Sequence, residues 1–555
     1  MEAQKLTPLK RFWLLLKPDK LEIRNIYVYA IIIGILNLTL PLGIQSIINL
    51  IQGGAVSTSW IILIFLVAGG IALSGILQIN QLRITESLQQ KIFTRAAFEF
   101  AYRIPKIKLE QLFRQYAPEL MNRFFDVVSI QKGITKILID FSSATIQVLF
   151  GLILLSLYHP FFIIFSLLLV FFIFAIFWFT SKRGLQTSLE ESKHKYRLAH
   201  WLEEVARANT TFKLSGSAEL PLRRVNDHSE KYLDAREEHF KVLRLQYSLM
   251  VVFKVVVAVG LLLIGGLLVI EQQMNIGQFV AAEIVILLIV NSVEKLILSF
   301  ETIYDVLTSL EKIGQVTDLN LEKEGGIDQI SPDDGFELKL KNVSYNYPQE
   351  SKNAISNLSL KVERNERVLI TGRNDSGKST LLYLVGGLLS IREGYMALDG
   401  IPIGNYNHAV LHQNIGGYLR DENLFEGSLM ENITLGRESV DFDSVKWAIE
   451  NLNLTDLIKQ LPEGYDTPIF PQGKQFSKST RAKILIARAI VDRPKLLLLE
   501  NSFSVFSTED RKEILEFLLN RKHNWTVLMT SSQPLDIGEL VDKEIVLESG
   551  HIINQ

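Results

Sequence analysis

Apolar residues gather into six long runs in the first half of the chain: Ile26–Ile51, Trp60–Ile79, Ile137–Tyr158, Pro160–Thr180, Tyr247–Ile270 and Gly277–Leu298. Each is about 20 residues or more, enough for a helix to cross roughly 30 Å of hydrocarbon. Long core helices of a soluble domain are the alternative, and charge placement argues against them. Lys5, Lys10, Arg11, Lys17, Lys20 and Arg24 precede the first run, and the short connections after the first, third and fifth runs carry no Lys or Arg. The longer segments after the second and fourth runs are basic, with Arg83, Lys91, Arg95, Arg103, Lys106 and Lys108 in one and Lys182, Arg183, Arg223 and Arg224 in the other. This asymmetry predicts six spans, with both termini and the two long loops in the cytoplasm.

Both long loops keep helical spacing and contain few breakers. The spans are therefore expected to continue into the cytoplasm, turn near Ile104–Tyr116 and Ala206–Gly216, and return, with tips placed to touch a cytoplasmic domain. Asp140, Lys254, Glu283, Glu294 and Lys295 fall in or near the spans. All but Glu283 are expected near cytoplasmic ends, within reach of water. Glu283 lies roughly 9 Å inside the outer end at 1.5 Å per residue. It either lines a polar path or is held as a buried or interfacial polar group.

From about Leu319 to Gly335 the sequence turns acidic and contains Gly325, Gly326, Pro332 and Gly335, which marks a linker. The expected division is therefore 1–318 for the membrane part, 319–335 for the linker and 336–555 for a mixed α/β domain. Within that domain the apolar strand Arg367–Thr371 runs into Gly372-Arg373-Asn374-Asp375-Ser376-Gly377-Lys378-Ser379-Thr380, followed by the helix-like Leu381–Leu384. Glycines at these positions let the backbone wrap a phosphate chain, with N–H groups and a helix N-terminus aimed at the anion. In such a loop Lys378 reaches the terminal phosphates and the Ser379 hydroxyl can ligate Mg²⁺.

Composition narrows the rest. Lys and Arg (58) nearly balance Asp and Glu (60), so nothing points to nucleic acid as a partner. The absence of cysteine excludes disulfides, thiolate metal sites and cysteine nucleophiles. The charged stretch before the first apolar run, and the length of that run, are not those of a signal peptide.

Beyond the phosphate loop, further segments carry a resemblance. Val343-Ser344-Tyr345-Asn346-Tyr347-Pro348, Leu398-Asp399-Gly400, Leu424-Phe425-Glu426-Gly427-Ser428, Glu431-Asn432-Ile433, Ala487-Arg488-Ala489-Ile490 and Val546–Ile552 resemble the nucleotide-binding domain of ABC exporters. With the six runs, the resemblance covers almost the whole chain, and the chain resembles a half-transporter of the type IV exporter kind. It implies a membrane all-α six-helix exporter domain. To this is fused an α/β P-loop NTPase domain with an antiparallel β subdomain and a helical subdomain. By resemblance, ATP and Mg²⁺ are the ligands, Tyr347 stacks on adenine, and the two cytoplasmic turns are coupling helices. Two halves, alike or different, sandwich two nucleotides between the loop of one and the signature motif of the other. The first spans, with Leu42-Gly43-Ile44-Gln45, resemble exporters of type I secretion. That implies a bacterial inner or plasma membrane, contact with lipid and a periplasmic adaptor, although no peptidase domain precedes the first span.

The departures concern catalysis. Where the family has a serine-glycine-glycine signature, this chain reads Ser477-Lys478-Ser479-Thr480. The metal-orienting aspartate position holds Glu500, and the next position, the family's water-polarising glutamate, holds Asn501. An amide cannot take that proton at neutral pH. Arg420 occupies the Q-loop glutamine position, Ser507 the aspartate that crosses to the other half, and Ser532 (or Ser531) the switch histidine. Asp375 replaces a loop glycine and could oppose a triphosphate. At about 6 Å and an effective dielectric near 20, two like charges repel by roughly 3 kcal/mol, less when solvated. Arg420 and Lys478 would offset this if they face the nucleotide. The expectation is a chain that binds ATP but hydrolyses it poorly. It is either an exporter subunit or a non-hydrolytic pseudo-ATPase serving as scaffold or regulatory membrane subunit. The substrate is not legible.

Overall fold

The computed structural model describes residues 6–53, 58–113, 117–216, 219–348, 350–500, 503–532, 535 and 537–554. The chain divides into two compact units, Met1–Pro105 with Arg114–Leu319 and Lys106–Phe113 with Asn320–Gln555.

The first unit is helical. Its principal elements are α1 (Lys20–Asn37), α2 (Thr39–Gln52), α3 (Thr58–Arg103), α4 (Asp126–Lys136), α5 (Ser142–Tyr158), α6 (Phe161–Arg207), α7 (Glu219–Ile270) and α8 (Ile276–Thr317). Among the described residues, six helical stretches are long and apolar enough to cross a membrane. Helices α3, α6, α7 and α8 hold 46, 47, 52 and 42 residues. At 1.5 Å per residue they run about 60–80 Å, well beyond the thickness of hydrocarbon. The long basic segments are thus continuations of the spans.

The first apolar run is not one helix. It breaks at Leu38, where the Thr39 hydroxyl donates to the Leu36 carbonyl at 2.7 Å and Pro41, two residues on, supplies no N–H. Close approach of α2 to α3 depends on missing side chains. A Cβ on Gly43 would meet Val67 Cγ2 at 2.2 Å, and one on Gly70 would meet the Thr39 hydroxyl at 2.7 Å. Small residues at such crossings let membrane helices pack without a hydrophobic drive.

Polar groups in the spans find one another. Lys254 on α7 pairs with Glu294 on α8 at 2.6 Å, and Asn37 donates to Gln147 at 3.0 Å. Reading charges one at a time misses the Lys254–Glu294 pair, because it depends on the register of two helices 40 residues apart in sequence. Asp140 sits in a π-helical turn, Ile137–Phe141, between α4 and α5. Glu283 is exposed on the surface of α8.

The second unit is α/β. Its antiparallel sheet pairs β1 (Leu338–Tyr345) with β2 (Ile355–Val362) and, on the other side, with β4 (Glu393–Leu398), beyond which lies the two-residue strand Ile401–Pro402. The main sheet contains β3 (Arg367–Thr371), β5 (Ile415–Tyr418), β6 (Leu496–Glu500), β7 (Thr526–Ser531), β8 (Lys543–Glu548) and β9 (His551–Asn554). Its order is β9-β8-β3-β7-β6-β5, parallel except for the β8–β9 hairpin. The strands β3, β6 and β7 are near-continuous apolar runs because helices cover both faces of such a sheet.

Short helices complete the unit: α9 (Lys378–Val385), α10 (Leu429–Thr434), α11 (Phe442–Asn451), α12 (Lys478–Ile490) and α13 (Thr508–Leu518). Helices α10 to α13 share a buried apolar cluster that includes Ile433, Val445, Ile486, Ile514 and Leu518. Asn432 pins the loop before α10. Its side chain is fully buried; it donates to the carbonyls of Phe425 (2.9 Å) and Ser428 (3.1 Å) and accepts from the Phe425 N–H (3.0 Å) and Arg488 (3.1 Å). Asn432→Ala strands these partners away from water, and a loss of about 3 kcal/mol is expected. Thermal melting of the full chain checks this; an unchanged midpoint would show that the asparagine is not what holds the loop.

The tip of the first long loop, Lys106–Phe113, belongs to this second unit. It is tied there by backbone bonds from Lys108 N–H to Asn320 and from Glu322 N–H to Lys106, and by Ser390 N–H donating to Glu110 at 3.0 Å. The expected linker is therefore not a bare tether: Leu321 bridges Ile107, and Ile327 bridges Tyr406. The second tip, Asn209–Ser215 ending at the left-handed Gly216, stays with the first unit.

Candidate functional site

Parallel strand register assembles the site. Ser531 pairs with Thr371, Thr530 with Glu500, and Tyr418 with Leu499, so β3, β5, β6 and β7 end at one level. Ligands of open α/β sheets bind at these carboxyl ends. There the chain opens a cleft of about 810 Å³ whose wall includes Tyr347, Asn374–Thr380, Arg420, Glu500 and Ser532.

The loop between β3 and α9 requires two of its glycines. Gly372 has φ +148° and a Cβ there would lie 2.2 Å from the Leu547 carbonyl. Gly377 has φ +101° and its Cβ would lie 2.4 Å from the Ala354 carbonyl. Asp375 takes φ +63°, a left-handed conformation that aspartate tolerates better than most residues. This explains how the loop keeps its path with an acid in a glycine position.

Lys378 opens α9 and is almost fully buried. Its ammonium donates to the carbonyls of Gly372 (2.7 Å) and Arg373 (2.6 Å), holding the loop in a ring. Burial lowers its pKa, opposed by the nearby Asp375 and Glu500. Ser379 donates to Glu500, whose other oxygen accepts the Arg420 N–H at 2.8 Å. The Tyr347 hydroxyl meets the Thr380 hydroxyl at 2.9 Å, and its ring packs edge-on against Phe113 (5.0 Å) and Tyr345 (5.3 Å). Burial raises the Tyr347 pKa, so it is a neutral phenol.

Other expected site residues lie elsewhere. Ser477 is the N-cap of α12, accepting from the Thr480 N–H at 3.1 Å, with Lys478 and Ser479 in the first turn; none of the four lines the cleft. Ser507 caps α13 in the same manner. Asn501 lies outside the described residues. Ser531 is the last residue of β7, and Ser532, one step later, lines the cleft. The reading from sequence missed Glu350, Lys352, Asn353 and Ala354, which also line the cleft. Their signal was weak: a polar turn between two strands.

The donor set fits a magnesium nucleotide. A buried ammonium lies on the cleft wall at the head of a helix, where an anion is favoured, and a hydroxyl beside a carboxylate, Ser379 with Glu500, is the hard-oxygen pairing that Mg²⁺ takes. Two family matches cover most of the chain: the ABC transporter transmembrane region over residues 23–293 and the ABC transporter domain over residues 355–504. The chain is an ABC exporter half-transporter.

Its curated relatives include a cyclolysin secretion/processing ATP-binding protein of Bordetella pertussis, 29% identical over 296 residues, 53% of this chain and 41% of that protein. A leukotoxin export ATP-binding protein of Aggregatibacter actinomycetemcomitans is 29% identical over 311 residues, 56% of this chain and 43% of that protein. The matched part of the half-transporter thus spans less than half the length of these relatives. A solved bacterial Atm1-family ABC exporter with ATP bound has the same fold, at a TM-score of 0.84 and 18% identity over 96% of this chain and 94% of that one.

Proposed function

We propose that this half-transporter binds ATP with Mg²⁺ at the cleft, pairs with a second half, and couples closure of the paired nucleotide domains to export of a substrate across a bacterial inner or plasma membrane. The observation that carries this reading is the phosphate loop: Lys378 ringed by loop carbonyls, and Ser379 joined to Glu500. It sits on a chain whose described residues include six helical stretches of membrane-crossing length. Lys378 and the loop N–H groups would hold the triphosphate, Ser379 and Glu500 the metal, and Tyr347 the base. Bound magnesium would supply charge neutralisation between the phosphates.

Hydrolysis by this chain is proposed to be slow. No carboxylate follows Glu500, a serine stands at the switch position, and Arg420 replaces the amide of the Q-loop. Loss of a general base alone costs about 10²–10⁴-fold in rate. The second half would then be a different, catalytically competent chain, and by analogy with the toxin-exporting relatives a periplasmic adaptor is a further partner. The substrate class stays open between protein, lipid and small molecule.

A second reading, a non-hydrolytic scaffold or regulatory subunit, is supported by Lys478 at the signature. That bulky first-turn cation stands where close backbone approach to a partner's nucleotide needs glycine. Phosphate release by the purified chain, alone and mixed with a competent second half, separates the two. Turnover in the mixed pair, lost when Lys378 is changed, is expected for the transporter. ATP binding without turnover in any pairing would establish the scaffold instead.

A further inference from the structure

The first unit carries a second cleft, of about 530 Å³, that the ATP site does not explain. It is enclosed by the turn before α4 and by the distal parts of α6, α7 and α8. Five cations line it: Arg123, Lys193, Arg197, Arg224 and Lys312. Two carboxylates do, Glu119 and Glu204, and both are engaged. Glu119 lies 3.1 Å from His200, and Glu204 pairs with Arg207 at 2.6 Å. Behind the wall the buried Asp126 accepts from the Tyr196 hydroxyl and adds one more negative charge. Lys193 is itself paired with Glu190 at 2.7 Å, and Glu204 with Arg207, so four cations, Arg123, Arg197, Arg224 and Lys312, face two acids, Glu119 and Asp126.

The deepest cations are incompletely compensated. Arg123 is 9% exposed and Lys312 7%. The Arg123 guanidinium lies over the Tyr196 ring at 4.0 Å and makes one long contact, 3.4 Å, with Glu119. Its Nε and Nη1 have no hydrogen-bond partner among the described residues. Lys312 faces the same ring at 5.2 Å. A buried cation with unmet donors is unfavourable unless an anion completes it. At the rim, exposed Arg224 stacks on Trp201 at 4.7 Å, and exposed Arg197 stands beside it on the pocket wall.

Lipid headgroups do not reach this place. The apolar run of α6 ends at Thr180; Lys193 and Trp201 follow 13 and 21 residues later. At 1.5 Å per residue they stand about 20 and 30 Å beyond the hydrocarbon. A ligand must therefore arrive from water. A planar arginine with two free donors, backed by lysine, matches phosphate oxygens. A phosphate group also brings close to two negative charges, the excess the pocket holds.

We propose that this cleft binds a soluble, small phosphate-bearing anion that bridges α6, α7, α8 and the turn before α4. Such a ligand would clamp the cytoplasmic extensions of four helical stretches to one another, at a site separate from the nucleotide cleft.

The test uses the full chain in nanodiscs with the Lys378→Ala substitution, so that the phosphate loop is silent, and inorganic tripolyphosphate as probe at fixed ionic strength. Saturable binding by calorimetry, with a change in tryptophan fluorescence that Trp201→Phe removes, is expected. Arg197→Glu with Arg224→Glu, both at exposed positions, should weaken binding at least tenfold while leaving the thermal midpoint unchanged. Affinity should be equal in neutral and anionic lipid. Three results would overturn the proposal: no saturable binding, equal affinity in the rim variant, or binding present in the unaltered chain and absent from Lys378→Ala. Affinity that collapses in anionic lipid would overturn the soluble ligand in favour of a headgroup.

Discussion

Replacing Lys378 with alanine should weaken ATP binding by at least about 100-fold, measured by calorimetry on the purified full chain. The lysine is nearly buried at the mouth of α9 and already bonds two loop carbonyls. A triphosphate would meet its ammonium in a partly desolvated site, where charge-assisted bonds contribute about 1.5–3 kcal/mol. Two such bonds exceed the roughly 2.8 kcal/mol that a 100-fold change requires. Asp375 makes the dependence steeper, because without Lys378 the loop residues that line the cleft would include an acid and no cation. The thermal midpoint without nucleotide serves as control, since the ring of bonds to Gly372 and Arg373 is lost as well. Unchanged affinity in a folded variant would show that the triphosphate is not held by this loop.

The second large effect is a gain. Asn501→Glu together with Ser532→His should raise phosphate release by about 100-fold or more over the unaltered chain. On the proposal that hydrolysis is slow for want of a base, a carboxylate one residue beyond Glu500 would supply the acceptor for a water proton, and proton transfer by a positioned group is worth about 10²–10⁴-fold. Ser532 lines the cleft, so an imidazole there would reach the same space. The gain should vanish when Lys378→Ala is added. If the double variant stays silent even beside a competent second half, the block lies elsewhere, and Lys478 at the head of α12 becomes the residue to change.

How much of this could be read from the chain itself depended on whether the signal was local. Six membrane-length runs announce themselves by composition, and the loop from Gly372 to Thr380 by spacing. What required the fold was everything set by register between distant segments. The Lys254–Glu294 pair is one such case, and the placement of Ser531 and Ser532 is another: one ends a strand and the other lines the cleft. The break at Leu38 escaped notice because the apolar pattern runs through it without interruption. The basic cleft of the first unit combines residues from four helical stretches far apart in sequence, so no window of sequence contains it.

The contact between Phe113 and Tyr347 has a mechanical consequence. Tyr347 is anchored at its hydroxyl by Thr380 and touched on its edge by a ring from the loop tip. A ring fixed at one end and pressed at the other behaves as a lever. A tilt imposed on Tyr347 would press on Phe113, in the short segment where Lys106 is tied to Glu322. The chain thus rests a ring of its loop tip on the residue proposed to meet the base.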